Sequence, residues 1–174
     1  GRQAEITKLT QKLQEARAGQ GGLVLLAGEP GIGKTRLAEE LAESAREHGA
    51  VVLMGRCYDG EWAPPYGPFA EAIAAYTRDA VPEQLRQDLG LGAPPIARLV
   101  AAVRECLPDI PEAVALQPDE ERFRLLDAVS QFLIATAART PVVLIVDDLH
   151  WADKGSIAML RHVARFASRH RLLI

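Results

Sequence analysis

The eight residues Gly28-Glu29-Pro30-Gly31-Ile32-Gly33-Lys34-Thr35 constrain the fold more than any other part of the chain. They fit G-x-x-x-x-G-K-[ST] at every fixed position, the pattern of a phosphate-cradling loop. Such a loop needs a buried strand before it and a helix after it, and the flanking sequence offers both. Leu23 to Ala27 is a short continuous apolar run, the signature of a strand buried on both faces. Arg36 to His48 sets Leu37, Ala38, Leu41 and Ala45 on one helical face, and Gly49 stands where a helix would stop.

The residue types carry the chemistry. Gly28, Gly31 and Gly33 have the backbone freedom to wrap a phosphate group with N–H groups pointing inward. Pro30 has no N–H, so the expected donors are Gly31, Ile32, Gly33, Lys34 and Thr35. The following helix adds its unpaired N–H groups and the positive end of its dipole. Lys34 is placed to meet the β- and γ-phosphates, and the Thr35 hydroxyl to ligate Mg²⁺.

A second apolar run ends in acids: Val142-Val143-Leu144-Ile145-Val146, then Asp147-Asp148. It reads as a central parallel strand. Ligands of parallel α/β sheets bind beyond the carboxyl ends of the strands, so Asp147 and Gly28 are expected at one edge. Asp147 is the expected second Mg²⁺ ligand, and Asp148 the expected base that orients and deprotonates the attacking water. The bland alternative is a strand that merely ends in a polar turn.

The remaining chain supplies a frame. Ala4–Ala18 reads as a helix with Ile6, Leu9, Leu13 and Ala16 on one face, and Ala50–Met54 as a second strand. The run Leu23–Ala27, the helix over 36–48 and this second strand make a βαβ unit with a right-handed crossover. Between residues 56 and 140 a proline- and glycine-marked loop leads into a helical block, with helices expected over 69–78, 83–89, 95–106 and 119–139. The last of these carries Phe123, Leu126, Val129, Leu133 and Ala137 on one side. Asp153 is placed as the N-cap of a helix with Ile157, Leu160, Ala164 and Ala167 inward, and a last strand opens near Leu172. The fold class expected is α/β, a three-layer P-loop NTPase with a parallel sheet and a helical insertion at 56–140.

The chain has 174 residues, a net charge of −3 and 48% hydrophobic residues, enough for one domain with a real core. The acidic balance argues against a broad nucleic-acid-binding face. No apolar run approaches the length of a membrane span. Residues 1–20 lack the apolar core of a secretory leader, so the expected compartment is the cytoplasm. Cys57 and Cys106 fit no metal-ligand spacing and read as reduced thiols. A start at Gly1 and an end in Arg171-Leu172-Leu173-Ile174 point to a larger parent protein.

Four segments together resemble one family. They are Gly1–Ile6, Gly28–Ala38, Gly55–Glu61 with Pro64-Pro65-Tyr66, and Leu144–Asp153, which reads LIVDDLHWAD. The pattern is similar to the AAA ATPase domain, in the STAND class of signal-transduction NTPases. Such domains occur in large LuxR-family transcriptional regulators and beside class III adenylate cyclase domains. The resemblance implies a sheet ordered 5-1-4-3-2, ATP or ADP with Mg²⁺ as ligands, and a nucleotide-controlled switch. It implies further domains of the same chain as partners, self-association, DNA contact only through an output domain, and no membrane. It also places Arg2 near the adenine; an exposed arginine is the equal alternative. Arg36 stands either near the α-phosphate or on a solvated helix face. A small-molecule kinase, a ring-forming AAA motor or loader, and a nucleotide-binding domain without turnover are the rival readings. His150 is open between a γ-phosphate contact and a neutral place in the loop. Trp151 is expected to pack. Arg161, Arg165, Arg169 and Arg171 read as a solvated basic face with one candidate charge-stabilising finger. Trp62 and Tyr66 read as partner-binding aromatics or caps on the core.

Overall fold

A computed structural model describes residues 2–60 and 63–174. Trp62, singled out above, lies outside the described residues. Eight helices and three parallel strands are assigned among them. Helix α1 (Gln3–Arg17) buries Leu9, Leu13 and Ala16, as its spacing predicts. Helix α2 (Lys34–Glu47) buries Leu37, Ala42 and Ala45, and Gly49 follows at φ +77° to end it. Strand β1 (Val51–Arg56) runs two residues further than expected. Its partner β2 (Val142–Asp147) is parallel to it, with Arg56 opposite Asp147 in the register. Strand β3 (Leu172–Leu173) pairs with the other edge of β2.

The expected first strand is the main correction. Only its start joins the sheet. Gly22 forms a parallel bridge with Leu173, and the Val24 N–H donates to the Ile174 carbonyl at 2.7 Å. Leu25 to Ala27 have no backbone partner among the described residues. Leu25 is accordingly 66% exposed, where burial on both faces was expected. The order across the sheet, β1-β2-β3 and then residues 22–24, matches the corresponding part of the expected 5-1-4-3-2 arrangement. This is an α/β fold with a parallel sheet, as expected of a P-loop NTPase.

The helical block packs on one side of the sheet. It comprises α3 (Gly67–Asp79), α4 (Pro82–Leu89), α5 (Ala93–Leu99), α6 (Ala101–Cys106) and α7 (Pro118–Arg139). The single helix expected over 95–106 breaks at Val100, whose φ of −126° and ψ of 98° are extended. Leu53, Phe69, Ile73, Leu85, Phe132 and Leu133 share one core with α8 (Lys154–Ala167). The inward face of α8 is rotated from the expected one: Met159 and Val163 are buried along with Leu160 and Ala167. Phe123, expected in the core, is 62% exposed and meets His162 edge-on with ring centroids 5.9 Å apart. A buried network ties the block together. The Asp88 carboxylate accepts from Tyr76, from Arg139 at 2.8 Å and from Gln84 at 3.1 Å. Burial, then the bond to Asp88, pushes the Tyr76 hydroxyl up to about 12.

Gly55 fixes how closely α3 sits on β1. A Cβ there would lie 1.8 Å from the Pro68 carbonyl oxygen, a backbone atom that cannot step aside. Gly55→Ala is expected to cost about 2–3 kcal/mol and to lower the melting temperature by roughly 5–10 °C in a chain of this size. Gly22→Ala, where a Cβ meets nothing within 4 Å, should stay within about 0.5 kcal/mol of the parent. Thermal unfolding followed by circular dichroism measures both.

Candidate functional site

The glycine loop opens α2 without a side-chain cap. Gly33, the N-cap, sits at φ +87° and Gly31 at +75°, angles an L side chain resists. The Ile32 N–H closes a turn on the Glu29 carbonyl at 3.3 Å. The N–H groups of Gly31, Gly33, Lys34, Thr35 and Arg36 have no protein acceptor among the described residues. No acid stands in the first turn of α2. In α8, by contrast, the Asp153 side chain accepts from the Ser156 N–H at 3.0 Å, as its sequence position predicts. The start of α2 is thus left positive and unpaired, which suits an anion.

Lys34 lies across the loop. Its Nζ donates to the carbonyls of Gly28 at 2.9 Å and Glu29 at 3.0 Å. Both acceptors are neutral and exposed, so the ammonium can exchange them for phosphate oxygens at small cost. Arg2 is close by: its guanidinium carbon would lie 3.4 Å from a Cβ on Gly33, which sets it over the loop. The Arg36 side chain points to solvent and pairs with Glu40 at 3.2 Å, the solvated alternative of the two weighed for it.

The carboxyl end of β2 meets the loop. The Thr35 hydroxyl donates to Asp147 Oδ2 at 3.1 Å across 112 residues of sequence. Asp147 Oδ1 accepts from the Asp148 N–H at 2.9 Å, which turns the carboxylate toward Thr35. Asp148 takes a left-handed backbone, φ 54° and ψ 41°, rare for a residue with a side chain. Oxygens of a hydroxyl and a carboxylate this close can supply two of the roughly six oxygens of a hard-cation site, and the open phosphate cradle beside them leaves room for the rest. The residues present therefore fit Mg²⁺ held with a polyphosphate.

One residue of the site escaped sequence reasoning. Arg56, the last residue of β1, donates to Asp147 Oδ2 at 3.1 Å and brings Nε within 3.6 Å of Asp148 Oδ2. The bond to Asp147, then the charges of Asp147 and Asp148, raise its already high pKa. The available signal was the strand end itself: an arginine closing an apolar strand, next to another that closes in acids. Thr35, Asp147, Asp148, Lys34 and the glycine loop are brought together as expected. His150 and Trp151 stand just beyond, in a 3-10 turn (Leu149–Trp151), with ring centroids 4.8 Å apart. Trp151 is 46% exposed where packing was expected. Arg171, read above as part of a solvated face, instead donates to the Ala137 and Ala138 carbonyls at the end of α7.

Gly28, Gly31, Gly33, Lys34, Thr35, Asp147 and Asp148 line a cavity of about 1000 Å³, at the upper end of the range for ligand pockets. Its polar end holds Lys34, Thr35, Asp147, Asp148 and His150. Its apolar end holds Leu25, Leu26, Leu41, Ile145 and Ile174.

The family model described as AAA ATPase domain matches residues 1–174. An uncharacterized protein, R02095, from Rhizobium meliloti (strain 1021) is 27% identical over 192 residues. The alignment covers 99% of this chain and 18% of that protein, so the chain spans under a fifth of the relative's length. No solved structure matches. No helix among the described residues is long and apolar enough to cross a membrane.

Cys57 reports on the packing of the site. Burial first, then the charges of Asp153, Asp148 and Asp147, push its thiol up to about 11. The folded chain therefore holds the proton beyond the ordinary thiol range and releases it only as pH rises through about 11. In a Cys106→Ser background, alkylation of Cys57 at pH 8 is expected to be about 100-fold slower in the folded than in the urea-unfolded chain. The folded rate should climb about tenfold per pH unit up to pH 11. Iodoacetamide labelling followed by mass spectrometry measures this.

Proposed function

The chain belongs to the AAA ATPase domain family over its whole length, and on that premise we propose that it is a Mg²⁺-dependent ATP-binding and ATP-hydrolysing switch within a longer signalling protein. A STAND-class module of a LuxR-type transcriptional regulator is the setting that fits best. The observation that carries the reading is the 3.1 Å approach of the Thr35 hydroxyl to Asp147, beside a loop whose N–H groups lack protein partners.

Each residue then has a task. The backbone N–H groups of Gly31, Gly33, Lys34, Thr35 and Arg36 bind phosphate oxygens, joined by Gly28 and Ile32 as the loop closes on the ligand. Lys34 leaves the two carbonyls and neutralises the β- and γ-phosphates. Thr35 and Asp147 would hold Mg²⁺, which when bound draws charge off the phosphate chain. Asp148 orients a water and takes its proton. Arg2, over the loop, lines the base pocket. Catalysis of this kind is positioning and charge neutralisation, with little covalent chemistry asked of the protein.

A switch is favoured over a kinase by the state of the helical block. A phosphoryl-acceptor lid would turn its arginines toward the phosphate loop, yet Arg86, Arg98 and Arg104 are held by Asp109, Glu121 and the Ile110 carbonyl, and Arg122 and Arg124 line a separate cleft of the block. In the proposal, bound ATP favours one arrangement of further domains of the protein and hydrolysis resets it, with DNA contacted only through an output domain. A cytoplasmic location accords with this.

Isothermal titration of the full-length protein tests the reading. Wild type should take up ATP only with Mg²⁺. Lys34→Ala should weaken that uptake at least about 30-fold, about 2 kcal/mol. Asp148→Asn should keep the affinity and lose about 100-fold in phosphate release. Unchanged binding in Lys34→Ala, or no Mg²⁺-dependent uptake in wild type, would refute it.

A further inference from the structure

A second cavity, of about 480 Å³, lies in the helical block away from the phosphate loop. Pro64, Pro65 and Tyr66 form one wall, Pro95 and Leu99 of α5 a second, and Val114 with Leu125 close it. The segment that carries Val114 is pinned in place. Its Leu116 N–H donates to Glu121 at 3.3 Å, and the Val114 carbonyl accepts from Arg124 at 3.3 Å. The walls are therefore built by specific bonds.

The charge of the lining is one-sided. Arg98, Arg122 and Arg124 face a single carboxylate, Glu121. Arg98 already holds Glu121 at 3.1 Å, and the Leu116 N–H, then Arg98, keep that carboxyl below its ordinary range. Arg122 is exposed at the rim and enters none of the ion pairs among the described residues. So an apolar cleft of ligand size carries excess guanidinium in a chain whose net charge is −3. Guanidinium groups at an apolar cleft select a ligand with an anionic head and an apolar body.

The cleft also touches the nucleotide site. Tyr66, another non-glycine residue with a left-handed backbone, φ 58°, lines the cleft. Its ring lies 3.0 Å from where a Cβ on Gly155 would be, in the first turn of α8. That turn follows directly on Asp147, Asp148 and the 3-10 turn. A ligand that moves Tyr66 therefore bears on the segment that positions both acids.

We infer that this cleft binds a small amphipathic anion, a carboxylate or phosphate head on an apolar body, and that its occupancy alters nucleotide affinity through Tyr66. The coupling rests on the proposed nucleotide reading; the binding does not.

Titration of the full-length protein with octanoate, octyl phosphate and octan-1-ol tests it. Either or both anions should bind, which identifies the head group, and the alcohol at least tenfold more weakly. Arg122→Glu should weaken anion binding at least tenfold with the far-UV spectrum unchanged, and Arg122→Lys should restore most of it. Lys34→Ala should leave anion binding intact. A saturating anion should shift the ATP affinity at least threefold, and Tyr66→Ala should remove the shift. No binding by any probe, equal affinity for alcohol and anions, or indifference to Arg122→Glu overturns the assignment. Anion binding that leaves ATP affinity unmoved overturns the coupling. Anion binding in a protein that takes up no ATP overturns the coupling together with the nucleotide reading, while the cleft assignment stands.

Discussion

The contact between Thr35 and Asp147 is the joint on which the site depends. It links the start of α2 to the end of β2, two positions 112 residues apart in sequence. A single hydrogen bond of this kind contributes little net stability, on the order of 1 kcal/mol. It exists because the sheet puts both ends at one edge. Val142 pairs with Leu172, and Gly22 bridges to Leu173, so the loop after residue 27 emerges beside the acids after residue 146. Any slip in these parallel registers would separate the hydroxyl from the carboxylate.

The site satisfies its own charges in ways a bound phosphate would have to undo. Lys34 spends its donors on two loop carbonyls. Arg56 stands against Asp147 and Asp148, where two neighbouring carboxylates would otherwise repel. The Arg56 side chain is 47% exposed, so these pairs do little for overall stability. Their effect is positional. They hold the loop and the acids near the geometry that the proposed triphosphate and metal would require, with contacts weak enough to be exchanged.

How much of this was legible in sequence follows from how local each signal is. The glycine loop, the helix after it and the apolar strand ending in acids are short, self-contained patterns, and all three stand where they were expected. The run from Leu23 to Ala27 was read as a fully buried strand, yet its burial depends on neighbours that its own sequence does not contain. Arg56 was invisible for a related reason. Nothing within strand β1 says that its last residue faces Asp147; only the register between two strands does. Arg171 looked like one more arginine in a basic tail until the fold brought the end of α7 against it. The face of α8 was misjudged by about one residue's rotation. Alanines gave the pattern little weight, and Met159 and Val163 took the core positions by packing against α7.

The helical block is more than a long connection between two strands. Its two ends are fixed at opposite ends of the central strands: Gly55 brings α3 against β1 on the side of the acids with no room for a side chain, and Arg139 closes α7 just before the start of β2 while bonded to buried Asp88. Interiors packed this closely shift as units. Tyr66 and Asp148, the two non-glycine residues with left-handed backbones among the described residues, both adjoin the start of α8, one through its ring beside Gly155 and the other along the chain. Strained conformations of this type persist only where surrounding structure imposes them. Here the imposition comes from the block on one side and the strand end on the other. A displacement of the block thus has a short mechanical route to Asp148: through Tyr66 to Gly155, and back along six residues to the acid. That route is what lets the two cavities of one small domain respond to each other.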